Sequence, residues 1–222
     1  MSFAPKYHEW ILREFSPHIG KKVAEVGAGS GTFSELLLRL PIDELLVVEP
    51  SKEMFPLLAE RVGRDPHVTC AQAFFQDISG QYAEHFDTVL YVNVLEHIKD
   101  DEKELRHAYE SLKAGGTLCV FVPALQWLFG EHDRIVGHQR RYYKKQLTSI
   151  LEASGFEIVA VRYFDIAGVL PWWLLMRLMK RQLSDGNAML YDSFVVPIMS
   201  WIESIVHPPI GKNLIAVVRK RG

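Results

Sequence analysis

The stretch Val23-Ala24-Glu25-Val26-Gly27-Ala28-Gly29-Ser30-Gly31 carries the clearest chemistry in the chain. An apolar run of strand length ends in a turn with glycine at every second position, and a helical pattern begins near Thr32. Gly27 and Gly29 lack a Cβ and tolerate positive φ, so a ligand can lie directly against the backbone of this turn, Ala28 included. The helix start adds unpaired N–H groups aimed at that ligand. The dinucleotide fingerprint has the spacing G-x-G-x-x-G; here the third glycine comes one residue early and Thr32 stands where that pattern requires it. Glu25, two residues before the first glycine, sets a carboxylate at the strand tip. A carboxylate suits a ligand bearing an ammonium group and opposes a pyrophosphate. The loop points away from NAD and toward a cationic, amino-acid-bearing cofactor.

Similar polar residues follow the next runs of strand length. Glu49-Pro50-Ser51 closes the second, where an acid can accept from both ribose hydroxyls. Asp77 in Phe74-Phe75-Gln76-Asp77-Ile78 follows the third and can accept from an adenine amino group. The fourth leads into Asn93-Val94-Leu95-Glu96-His97. The elements that must position these groups are short β-branched or apolar runs at Val23–Val26, Leu45–Glu49, Val68–Ala71, Thr88–Val92 and Thr117–Val122. Helical spacing over Phe33–Leu40, Lys52–Val62 and Lys99–Leu112 separates them, which implies right-handed crossovers and a parallel sheet covered on both faces. A helix over Lys144–Ser154 and strands over Phe156–Tyr163 and Leu214–Arg219 bring the strand count to seven. Ligands of such sheets bind at the carboxyl ends of the strands, where all four loops lie.

Taken together, Glu25-x-Gly27-x-Gly29-x-Gly31, Glu49, Asp77-Ile78, Asn93–His97 and the Leu112–Gly116 turn resemble the class I S-adenosylmethionine-dependent methyltransferases. The resemblance covers residues 20–164 and resumes in the last strand. It implies a doubly wound α/β fold with a seven-stranded, mostly parallel sheet, an antiparallel last strand and a helical insertion before it, all in a single domain over 1–222. It also implies S-adenosylmethionine as cofactor. Glu25 and the Gly27–Gly31 backbone would hold its methionine moiety, and Glu49 with Pro50 its ribose. Met54 would pack on the adenine, Asp77 and Ile78 would bind the adenine edge, and Asn93, Val94 and Leu95 would line the methionine side.

Two long connections interrupt the alternation and are expected to serve the methyl acceptor. Pro123–Tyr143 holds Trp127, His132, His138, Arg140, Arg141 and Tyr142. His132 and His138 are candidate bases near neutral pH. Arg140 and Arg141, followed by Lys144 and Lys145, form a local basic cluster suited to phosphate or carboxylate, with Trp127 and Tyr142 beside it. This stretch is also similar to a methyltransferase subgroup associated with lipid-linked acceptors. Some O-methyltransferases bind a divalent metal through Glu-x-x-Glu-His at the fourth strand end; Asn93 replaces the first glutamate here, so Glu96, His97 and His132 make an incomplete set and no metal is expected.

The second connection, 165–212, is rich in Trp, Leu and Met, and Arg177, Lys180 and Arg181 share one helical face. A lid over a greasy acceptor, an interfacial membrane helix, a dimer surface and plain burial against the sheet all remain open for it.

Composition narrows the function classes. The 222 residues carry 25 basic and 27 acidic side chains, a near-neutral balance that opposes dedicated nucleic-acid binding. The two cysteines, Cys70 and Cys119, make neither a disulfide framework nor a zinc cluster, which favours the cytoplasm. Met1–Phe15 is interrupted by Lys6, Glu9, Arg13 and Glu14 and lacks the apolar core of a signal peptide. The expected activity is methyl transfer to a small-molecule or lipid-linked acceptor, at oxygen, in the cytoplasm with peripheral contact at the inner membrane surface. The alternatives are a cofactor-binding protein without methyl transfer and a nicotinamide-dependent oxidoreductase. The acceptor's identity and the oligomeric state stay open.

Overall fold

A computed structural model describes residues 4–174 and 185–222. Seven strands form one sheet: β1 (Lys22–Val26), β2 (Glu44–Val48), β3 (Val68–Ala71), β4 (Phe86–Val92), β5 (Leu112–Pro123), β6 (Phe156–Phe164) and β7 (Asn213–Lys220), in the order β3-β2-β1-β4-β5-β7-β6. The β1–β2, β2–β3, β1–β4 and β4–β5 pairings are parallel, and β7 runs antiparallel to both β5 and β6. The expected sheet, with its antiparallel last strand and the helices before it, is the one observed.

Two-residue periodicity sorts the strand side chains into two cores. Ala24, Val26, Val89, Tyr91, Leu118 and Val120 meet Leu105 of α5 (Asp101–Ser111) and Leu147 and Leu151 of α7 (Lys144–Ala153). Val23, Leu45, Val47, Leu90, Cys119 and Phe121 meet α1 (Pro5–Phe15), α2 (Thr32–Leu37) and α3 (Met54–Val62). Burial on both faces explains why the central strands read as continuous apolar runs. Helix α5 starts where Asp100 accepts the Lys103 N–H at 3.0 Å, with Asp101, Glu102 and Glu104 in its first turn.

Three features depart from the sequence expectations. Helix α1 has no counterpart in the expected elements: Trp10, Ile11 and Phe15 are buried, and the Trp10 ring lies against Phe164. The Leu112–Gly116 turn sits inside β5 as a bulge, where pairing to β4 jumps from Phe86↔Leu112 to Thr88↔Thr117. The expected 33–40 helix ends at Leu37. Among the described residues, four short helices lie in the connections: α4 (Phe75–Ile78), α6 (Glu131–Ile135), α8 (Val169–Trp172) and α9 (Asp185–Leu190), with α10 (Val196–Ile205) before β7. The Arg177, Lys180 and Arg181 face lies outside the described residues.

The carboxyl edge of the sheet is where the backbone is most constrained. Asn93 after β4, Leu125 after β5 and Asp165 after β6 all have positive φ (56, 65 and 62°), as do Gly27, Gly29 and Gly31 after β1. Left-handed conformations cost a non-glycine residue of the order of 1 kcal/mol and gather at functional edges.

Candidate cofactor and acceptor site

The turn after β1 is held from the neighbouring strand. Gly27 N and Ala28 N both donate to the Val48 carbonyl, at 2.7 and 3.0 Å. Glu49 then bridges the two strand tips, accepting from Gly29 N at 2.7 Å and Ser51 N at 2.8 Å. Each carboxylate oxygen keeps a second lone pair for a hydroxyl. Glycine is required at two points for different reasons. A Cβ on Gly27 would lie 2.5 Å from Val94 Cγ2, so β1 and β4 approach only without it. A Cβ on Gly29 would meet nothing within 4 Å, so the loop is open there. This open backbone cradle, bordered by carboxylates, fits a ligand with an ammonium and a ribose.

Glu25 is almost fully buried and accepts from Ser34 Oγ of α2 at 2.5 Å. Burial pushes its pKa up to about 8; the Ser34 bond opposes the shift and the Glu49 charge adds to it. Its carboxyl is therefore largely protonated at neutral pH. Farther along the edge, Pro50 follows Glu49, Met54 is exposed at the start of α3, and Asp77 and Ile78 lie in α4 with Asp77 exposed. Phe74, just before α4, is also exposed, an apolar ring next to the turn that carries Asp77 and Ile78 and absent from the expected site. Its signal was the pair Phe74-Phe75, of which only Phe75 is buried. Asn93 is exposed, Val94 half-buried against the glycine turn and Leu95 buried.

Beyond Leu95 the chain enters a buried polar cluster centred on Asp133 of α6. Asp133 accepts from Gly130 N (2.8 Å), His138 Nδ1 (2.9 Å) and Arg141 Nε (2.8 Å). Burial works against its ionisation, but the bonds from His138 and Arg141 hold its pKa at about 2. This organising carboxylate was absent from the expected site; its signal is the helix-start spacing Gly130-x-x-Asp133. His138 Nε2 faces Glu96 Oε1 at 3.8 Å. Glu96 is fully buried, neither of its oxygens has a hydrogen-bond partner, and burial raises its pKa to about 8. Glu96, His97 and His138 offer ligand atoms all within 4.8 Å of one another. The third group of that set is His138, whereas the sequence pointed to His132.

His132 instead lies edge-on to Trp172 of α8 (ring centroids 5.4 Å apart), and burial lowers its pKa. Arg141 stacks on the same Trp172 ring at 4.6 Å. The expectation of an exposed basic cluster is corrected at two positions. Arg141 is buried on Asp133, and Arg140 is engaged by Asp101 Oδ2 at 2.5 Å and the Lys99 carbonyl at 2.7 Å. Tyr142, expected beside an acceptor, is also buried, its hydroxyl donating to Asp101 at 2.7 Å. Arg141 and Tyr142 shape the loop from within, and Arg140 ties it to the start of α5. Trp127 remains exposed, and so do Lys144 and Lys145 on α7.

Residues 24–118 match the family model described as a methyltransferase domain. Strand order, strand-end loops and this match, which spans residues 24–118, give the chain the fold of the S-adenosylmethionine-dependent methyltransferases to which it is similar. Over 181 residues, 70% of this chain and 47% of the relative, it is 29% identical to the mitochondrial ubiquinone biosynthesis O-methyltransferase of Homo sapiens. The chain thus spans about half the length of that curated relative. Among solved structures it is similar in fold to an S-adenosylmethionine-dependent methyltransferase from Archaeoglobus fulgidus (TM-score 0.64, 16% identity, 98% of this chain and 95% of that one). It is also similar in fold to phosphoethanolamine N-methyltransferase 2 of Haemonchus contortus in complex with S-adenosyl-L-methionine (TM-score 0.64, 21% identity, 97% and 52%).

Proposed function

We propose that the protein transfers the methyl group of S-adenosylmethionine to an oxygen of a small, amphipathic acceptor. The observation that carries this reading is the open backbone at Gly29, held by Glu49 at the tip of the neighbouring strand and preceded by the buried Glu25. When bound, the cofactor supplies a methyl group on a positive sulfur. The glycine turn and Glu49 fix its position, and Asn93–Leu95 bound the side on which a nucleophile approaches. Alignment of two reactants accounts for much of the rate in such a displacement. An oxygen nucleophile must also lose its proton. With Nδ1 donating to Asp133, His138 presents Nε2 as the proton acceptor, and the Asp133 charge stabilises the imidazolium that results. Trp127, exposed on the same loop, supplies an apolar wall.

The oxygen acceptor draws on the ubiquinone biosynthesis O-methyltransferase relative, and its amphipathic character is read from the exposed Trp127 beside the polar cluster. The test is calorimetric titration with S-adenosylmethionine, then transfer of labelled methyl to phenols with and without apolar tails. Gly29→Arg should abolish binding; His138→Ala should leave cofactor affinity intact and lower kcat by about 100-fold or more. Absence of cofactor binding by the wild type would end this reading.

A second reading concerns the same cluster. The unpartnered oxygens of Glu96 beside His97 and His138 favour a divalent cation there, with a two-imidazole, one-carboxylate set that suits zinc, manganese or iron better than magnesium. Titration of the chelator-treated protein with Zn2+ and Mn2+ decides it: saturable binding lost in Glu96→Gln supports the cation, and no binding leaves the histidine as base.

A further inference from the structure

The helices between β6 and β7 are packed with their polar side inward. On α10 the sheet-facing residues are Val196, Ser200 and Glu203, one helical face, all buried. Glu203 accepts from the backbone N–H groups of Asp165 (3.0 Å) and Ile166 (2.9 Å). Asp192, also buried, accepts from Lys6 N (3.2 Å) and Tyr7 N (2.8 Å) in the first turn of α1. The outward face of α10 is Ile198, Trp201, Ile202 and Ile205, at i, i+3, i+4 and i+7, with Ile198 60%, Trp201 66% and Ile205 66% exposed. Phe194 and Leu190 continue the stripe at four-residue steps toward α9 and are equally open to solvent. A contiguous apolar stripe of this size on a helix marks an interaction surface.

Charge selects the occupant. Among the described residues from Gly186 to His207 no carboxylate is exposed, since Asp192 and Glu203 are turned in. The neighbouring α1 has its two acids neutralised from elsewhere, Glu9 by Arg39 and Glu14 by Arg162. Its two exposed cations are attached to the apolar segment by carbonyls alone: Lys6 Nζ donates to Ser193 O at 3.2 Å and Arg13 to Ser200 O at 3.3 Å. A two-fold interface between copies would set this patch against itself, cation facing cation, and Glu9, the exposed carboxylate between Lys6 and Arg13 on α1, is already held by Arg39. An anionic lipid surface meets both requirements, with apolar depth for the stripe and phosphates for Lys6 and Arg13. Tryptophan on the stripe suits the same boundary.

We propose that the outward face of residues 190–205, with Lys6 and Arg13 beside it, docks on an anionic lipid bilayer, α10 lying in the plane of the headgroups. The inference deepens the amphipathic-acceptor reading, since Trp172 of the same insertion stacks against His132 and Arg141 of the acceptor loop. The experiment is co-sedimentation with phosphatidylcholine vesicles, alone and mixed with phosphatidylglycerol, at low and high salt. Wild type should bind the mixed vesicles. Trp201→Glu with Ile205→Glu should lose about tenfold or more in partitioning at either salt, and Lys6→Glu with Arg13→Glu should lose about tenfold at low salt only. Trp201→Ser alone, with circular dichroism and cofactor affinity unchanged, guards against misfolding. Equal vesicle binding by the stripe variant, no binding by wild type, or a dimer that Trp201→Glu dissociates would each overturn the proposal. A wild type that binds vesicles but no cofactor would end the methyl-transfer reading and leave this surface standing.

Discussion

Replacing Glu25 by Gln separates the cost of a buried carboxyl from its use. In the folded, unliganded chain Glu25 has its pKa raised from 4.5 to about 8, first by burial and then by Glu49, against the Ser34 bond. The folded state therefore holds a proton that the unfolded chain releases near pH 4.5, so stability is highest below that pH and falls as pH rises through 8. Felt in full, that difference amounts to roughly 5 kcal/mol. Glutamine keeps the shape and can still accept from Ser34, but it cannot ionise. Urea unfolding of both proteins at pH 5, 7 and 9 isolates the contribution, because every other titration cancels between them. The wild type should lose several kcal/mol relative to Glu25→Gln across that range, with the variant the more stable at alkaline pH. A ligand ammonium near Glu25 favours the ionised form, so cofactor binding at pH 7 should release close to one proton from the wild type and none through this site in the variant. Calorimetry in buffers of different ionisation enthalpy reads that number. Parallel stability profiles would refute the burial argument, and equal proton release would refute the assignment of Glu25 to the ammonium.

The glycine turn should distinguish packing from access. Gly27→Ala drives a Cβ into the stiff Val94 side chain and should lower stability by about 3 kcal/mol, whereas Gly29→Ala, open on that side, should cost only about 1 kcal/mol of backbone strain; thermal unfolding compares them directly. Asp133→Asn leaves Arg141 buried without its counter-charge and should destabilise by about 3–5 kcal/mol, measured by urea titration. Arg140→Ala removes a partly exposed pair with Asp101 and should change stability by at most about 1 kcal/mol, with cofactor affinity unaltered in the same preparation.

The cofactor half of the fold was legible because its constraints are local. Val23–Val26 and Leu45–Glu49 had to be strands, since continuous β-branched runs of that length are buried on both faces. The glycine spacing had to be a turn, since Gly27 abuts Val94 and Gly29 stays open. Helix α1 was missed for the opposite reason. Its buried face, Trp10, Ile11 and Phe15, is interleaved with Lys6, Glu9, Arg13 and Glu14, and the ring that gives it purpose, Phe164, lies far along the chain.

The loop after β5 was legible in its residue types and misleading in their exposure. Arg140-Arg141-Tyr142 reads as a basic, aromatic surface patch, yet Asp133 and Asp101 draw Arg141 and Tyr142 inward and pair the partly exposed Arg140. Nothing local announces this, because Asp101 lies 41 residues from Tyr142 in the chain. The insertion inverts the same rule. Its acids, Asp192 and Glu203, look like solvated positions on apolar helices but cap the backbone at α1 and after β6, which turns the tryptophan and isoleucines outward. Hydrophobic pattern alone would place Trp201 and Ile205 in a core; the hydrogen bonds of Glu203 decide otherwise. Asp192 and Glu203 satisfy backbone N–H groups that would otherwise be buried without a partner, and the helix is turned accordingly.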